Sequence, residues 1–187
     1  MKFIIGFLIS IGLLIFVFVL IFRGGGDSAD QTTKQGTKLI DYANSSSAVM
    51  QFTQEGPVTA DLTHNRVRIT VGRDQTTIET FKGYEGPAVN SKSYANNSTA
   101  YADFLQALQL AGYTEGNSDK EFADERGRCA TGQRYIMGIQ DGSSEIQRFW
   151  ATSCGGAATF KGKSAIVRSL FIRQVPDYNT VAGNLSL

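Results

Sequence analysis

CATGQRYIMGIQDGSSEIQRFWATSC, residues 129–154, is the stretch on which the fold turns. Asp141-Gly142 is a favoured dipeptide for a two-residue hairpin turn, because both central positions of a type I′ turn need positive φ. Strand-forming residues flank it, Gln133 to Ile139 before and Glu145 to Thr152 after. A turn centred on Asp141-Gly142 sets Cys129 directly opposite Cys154, with Cβ atoms ~4.5–5.5 Å apart, close enough to bridge. The same register gathers Tyr135, Met137 and Ile139 with Ile146, Arg148 and Trp150 on the cysteine face. A disulfide closing a loop of about 26 residues contributes ~3–4 kcal/mol in the chain-entropy model. Disulfides persist in oxidising compartments, which places this part of the chain outside the cytosol.

Upstream of the hairpin, Ala48 to Thr53 alternates as a strand. Arg66 to Val71 and Gln75 to Phe81 read as a second hairpin about Arg73-Asp74, with Val67, Ile69 and Val71 opposite Thr80, Ile78 and Thr76. Ser98 to Ala111 is the best helix: Tyr101, Phe104, Leu105, Leu108 and Ala111 form one apolar stripe, Asn97 or Ser98 caps the start, and Gly112 ends it. A second helix is expected over Ser164 to Gln174, with Ile166, Val167, Leu170 and Phe171 inward and Pro176 forbidding its continuation. The order describes an α+β domain with an antiparallel sheet of two hairpins and two packed helices.

Further toward the N-terminus, Phe3 to Phe22 is a run of twenty residues without a charge. A helix of that length spans ~30 Å, the thickness of a bilayer's hydrocarbon core. Phe22 and Arg23 stand where a signal peptidase would need small residues, so the run reads as an uncleaved anchor and residues 3–22 as the contact with the lipid bilayer. Flanking charges barely distinguish the two sides. The cysteine pair decides the orientation: N-terminus cytoplasmic, C-terminal domain extracytoplasmic, at the cell membrane. The expected organisation is therefore a transmembrane helix over 1–23, a flexible linker over 24–37 and an extracytoplasmic domain over 38–187.

Net charge is +1, unevenly spread. Residues 24–125 carry 8 basic against 14 acidic side chains, and residues 126–187 carry 8 against 3. The two halves can neutralise each other in one domain, and no strongly basic patch points to nucleic acid.

The strings CATGQRYIMGIQDG, RFWATSCGG and LFIRQVPDY, with the helix YADFLQALQLAGYTEG upstream, resemble an uncharacterised family of single-pass, membrane-anchored proteins from ultrasmall candidate-phylum bacteria of the Saccharibacteria type. The resemblance covers roughly residues 95–180. It implies a membrane anchor and an external domain, and it implies no activity.

Chemistry is sparse. His64 is the single histidine and sits in a polar stretch, DLTHN, that reads as a surface turn. Cys154 cannot be a nucleophile while bridged, and Ser153-Cys154-Gly155-Gly156 is not the Gly-x-Ser-x-Gly elbow of hydrolases. Two cysteines and one histidine fall short of a closed zinc site, and no phosphate loop or dinucleotide fingerprint occurs. The sequence therefore predicts no enzyme, cofactor or metal. Tyrosines in or beside loops (Tyr84, Tyr94, Tyr113, Tyr178), with Arg126, Arg128, Arg168 and Arg173, have the composition of a contact surface. Of these, Tyr84, Tyr94, Tyr178 and the four arginines are the candidate residues. The expected function is a membrane-anchored extracytoplasmic binding module for a partner protein or cell-surface polymer. An accessory subunit of an envelope or secretion assembly is the alternative, and a cell-surface hydrolase is the weakest reading.

Overall fold

The structure, a computed structural model, describes residues 38–117 and 122–183. The chain runs through β1 (Ala48–Glu55), β2 (Asn65–Val71), β3 (Gln75–Lys82), β4 (Asn90–Ala95), α1 (Ser98–Leu110), β5 (Arg134–Asp141), β6 (Ser144–Thr152), α2 (Ser164–Arg173) and α3 (Tyr178–Ala182). Short 3-10 turns lie at Leu39–Tyr42 and Asp61–Thr63. All six strands join one antiparallel sheet in the order β4-β3-β2-β1-β5-β6.

This corrects the expected architecture of two hairpins and two packed helices behind a transmembrane helix. The hairpins are not separate units: β1 lies between them, pairing Phe52 with Ile69 of β2 and with Met137 of β5. β4 has no counterpart in the sequence reading, because Asn90-Ser-Lys-Ser-Tyr-Ala95 is an exposed edge strand without apolar alternation. No helix among the described residues is long and apolar enough to cross a membrane. The span expected over residues 3–22 lies outside the described residues.

One sheet face carries Met50, Phe52, Val67, Ile69, Val71, Ile78, Met137 and Ile139, all buried. Tyr101, Phe104, Leu105 and Leu108 of α1 and Val167 and Phe171 of α2 join the same core. The Phe171 ring sits 5.5 Å from that of Phe52, 5.1 Å from Phe104 and 5.8 Å from Tyr113, joining both helices to the sheet. Asn97 caps α1 by accepting from the Ala100 N–H at 3.0 Å, and Gly112 supplies the positive φ (76°) that follows its end. Ile166, expected to point inward, is exposed, and Tyr113, which follows the helix stop at Gly112, is wholly buried. The Tyr113 hydroxyl hydrogen is shared between the carbonyls of Gln51, at 2.6 Å, and Gly138, at 2.8 Å, fastening the end of α1 to the β1–β5 pair.

The β2–β3 ladder has the expected register, Val67 with Thr80, Ile69 with Ile78 and Val71 with Thr76. The β5–β6 ladder does not. Its closing pair is Asp141 and Ser144, and of the residues between them only Gly142 takes positive φ, at 58°. That is the requirement of a type II′ turn with glycine first, rather than a turn centred on Asp141-Gly142. A bulge between Ile139 and Gln140 then shifts the ladder again, so that Ile136 faces Trp150 and Gly138 faces Arg148. The net shift is an odd number of residues, and it moves Arg148 and Trp150 to the sheet face opposite Tyr135, Met137 and Ile139.

Candidate functional site

The disulfide Cys129–Cys154 is present, with the Cα atoms 5.6 Å apart. It is not a cross-strand pair. Both cysteines lie beyond the strand ends, and the turn over residues 126–132 absorbs the shift, with Cys129 at a φ of 53°. The β5–β6 register, continued outward, places Gly132 opposite Cys154. A Cβ on Gly132 would come within 2.5 Å of the Cys129 sulfur and 3.0 Å of the Cys154 sulfur, so the missing side chain makes room for the bridge.

The sheet face away from the helices is where long polar side chains collect. Period-two alternation along β2 turns Arg66 and Arg68 to this face while Val67 and Ile69 enter the core. β1 contributes Gln51, Thr53 and Glu55, β5 contributes Ile136, Gly138 and Gln140, and β6 contributes Glu145 and Arg148. Together they line a groove of about 210 Å³. Its floor is low where Gly138 has no side chain and Thr53 and Gln51 are short of the arginines on either side.

The charges around the groove are largely assigned. Arg134, at its end, is 2% exposed; it donates from Nε to Glu55 Oε2 at 3.0 Å and from Nη2 to the Gly56 carbonyl at 3.1 Å. Arg148 is held bidentate by buried Glu125, from Nη1 to Oε2 at 2.9 Å and from Nη2 to Oε1 at 2.5 Å. Those hydrogen bonds raise the Arg148 guanidinium above its ordinary pKa. Trp150, buried on the same face, donates its indole N–H to the Phe122 carbonyl at 2.6 Å, which pins the segment carrying Glu125. Across the groove, the guanidinium carbons of Arg66 and Arg68 lie 4.9 and 5.1 Å from the centroid of the Phe81 ring. Arg66 donates from Nε to the Gly83 carbonyl at 3.0 Å, and burial holds its pKa below the ordinary value.

No known family profile matches the chain, and no curated protein matches it.

The contact residues expected from sequence fall into separate groups. Tyr84 stacks on His64 with ring centroids 4.0 Å apart, and its hydroxyl contacts the Thr59 backbone. His64 is accordingly buried, 1% exposed, with Nδ1 3.0 Å from the Pro57 carbonyl, and is no surface turn. Arg126 is exposed and pairs with Asp124, whose carboxyl it holds down to about 2 chiefly through their hydrogen bonds. Arg128 lies over the Phe122 ring at 5.9 Å. Arg168 and Tyr94 are tied to the helix-covered side. Arg168 donates to Gln54 at 2.9 Å, and the Tyr94 hydroxyl, with Lys92, bonds Asp177 at the start of α3. Tyr178 is half-buried, which raises its pKa, and Arg173 is exposed in the last turn of α2. Among the described residues no group of His, Cys, Asp or Glu is placed to hold a metal ion. The groove residues Arg66, Arg68 and Arg148 are absent from the sequence-derived set. The alternation R-V-R-I marks the first two as facing away from the core. Nothing local marks Arg148, because its face depends on the bulge.

Proposed function

We propose that the protein is an extracytoplasmic binding module that engages its partner through the groove on the helix-free face of the sheet. The observation that carries this reading is the groove itself. It is a concavity between walls of long polar side chains, on a face where no helix of the described residues packs. Ligand sites are concave and use a small number of placed polar groups to fix orientation. The uncharged run over residues 3–22 supports attachment to the cell membrane, and the disulfide supports an oxidising location. The resemblance to single-pass proteins of the Saccharibacteria type points the same way.

The test is site-specific photo-crosslinking of the full-length chain in cells. A photoreactive residue at Ile136, in the groove, is expected to give a defined adduct with an envelope component. The adduct should disappear when Gly138→Leu fills the floor. The same probe at Asp103, exposed on α1, should give no such adduct. Identical adducts from both positions, or an adduct indifferent to Gly138→Leu, would remove the groove from the function.

A further inference from the structure

We infer that the β2 wall of this groove, Arg66 with Arg68, seats an oxyanion of the ligand, a carboxylate or a phosphate group; the inference rests on the binding reading above. Two arginines two residues apart on one strand point to the same face, ~6.6 Å apart along the chain. Placing like charges so close on a partly buried surface is unfavourable unless a counter-charge serves both. The protein provides Phe81 beneath them, which supports the flat guanidinium faces and leaves their N–H edges available. Glu55, Asp61 and Glu85 lie close enough for their charges to act on Arg66, yet among the described residues neither arginine is ion-paired with a carboxylate.

Glu79 lies directly across from Arg68 in the β2–β3 register, yet among the described residues Arg68 makes no ion pair. Its Nε is buried with no acceptor. Of the other acids around the groove, Glu55 pairs with Arg134 and Glu125 with Arg148, while Asp61 accepts from the Tyr84 N–H and acts with Glu85 on Arg66 only through its charge. Glu145 remains, but it stands on β6, three strand spacings from β2 or about 14 Å. An oxyanion entering from the groove would meet the N–H edges of both guanidiniums. A small turn of the Arg68 side chain would give its Nε the acceptor it lacks, in the paired geometry that guanidinium and oxyanion favour. It would also relieve Arg66, whose charge burial disfavours.

The experiment uses the full-length protein in a non-ionic detergent, with ionic strength held constant by chloride. The arginine Nε–H resonances are followed by NMR while inorganic phosphate and, separately, acetate are added. The Arg68 resonance is expected to shift and saturate with at least one probe. Phosphate alone would mark a phosphate-bearing ligand, acetate alone a carboxylate-bearing one, and response to both a group read by charge. Arg68→Gln should weaken the saturable binding, followed at Arg66, by roughly tenfold or more, with Arg68→Lys in between because it keeps the charge and loses the paired edge. An Arg68 resonance indifferent to both probes, or an Arg68→Gln protein that binds like the parent, would overturn the inference. The Ile136 crosslink separates the two readings. An adduct that forms while Arg68 stays silent defeats the anion seat and leaves the binding module. Loss of the adduct with a responsive Arg68 defeats the module.

Discussion

Arg134 and Glu55 show how one buried charge constrains its neighbours. Arg134 spends Nε on Glu55 and Nη2 on the Gly56 carbonyl, and its Nη1 is buried without an acceptor. A guanidinium this deep cannot be left alone, because removing one partner of a buried pair exposes the full desolvation penalty of the other. Glu55→Gln, which keeps the size and an acceptor oxygen but removes the charge, is expected to cost about 3 kcal/mol in urea unfolding. An unchanged midpoint and slope would show that the pair contributes nothing. The arginines of the opposite wall differ in kind. They rest on Phe81 rather than on carboxylates, and are therefore the ones left to serve a ligand.

The β5–β6 hairpin shows how a correct contact can arise from a different ladder. The cysteines are bridged, yet the strand register is shifted by an odd number of residues and the bridge is made in the flanking turns. Gly132 permits it, since any Cβ there would meet both sulfurs. The bridge ties the segment carrying Glu125 to the end of β6. Cys129→Ser in the full-length chain is therefore expected to lower the melting temperature by more than about 5 °C, from the ~3–4 kcal/mol assigned to a loop of this length. Equal melting of variant and parent would show that the turn holds without it. The cost of the odd shift is borne by the sequence pattern. Phe149 takes the core-side position opposite Met137, while Trp150 turns to the groove side, where it is buried and donates to the Phe122 carbonyl.

In the whole molecule the charge asymmetry resolves into internal contacts. Glu55–Arg134 and Glu125–Arg148 each join the acidic first part of the domain to the basic last part. The uneven distribution is thus partly consumed in holding β1 and the 122–128 segment against β5 and β6. Location is a property of the whole chain as well. A non-reducing peptide map of protein taken directly from membranes, with thiols blocked at lysis, is expected to contain a linked Cys129–Cys154 peptide. Two alkylated thiols would reverse the proposed orientation, because a cytosolic domain would be kept reduced.

What the residues determined by themselves is what local periodicity and capping can encode. The α1 helix with its Asn97 cap and Gly112 stop and the pairing of β2 with β3 across Arg73-Asp74 were readable without tertiary structure, whereas the Cys129–Cys154 bridge was expected from a ladder register that the structure replaces. The helix and the β2–β3 pairing each depend on neighbours in sequence or on one short loop. The merger of two hairpins through β1, the place of the edge strand β4 and the face taken by Arg148 were decided only in the folded molecule. β1 meets β5 across some eighty intervening residues, and no local pattern specifies that pairing. β4 needs only one neighbour and no buried face. The Arg148 face depends on the one bulge between Ile139 and Gln140, since the moved turn shifts the register by two and keeps the faces, whereas with a side-chain period of two the bulge's single residue reverses them.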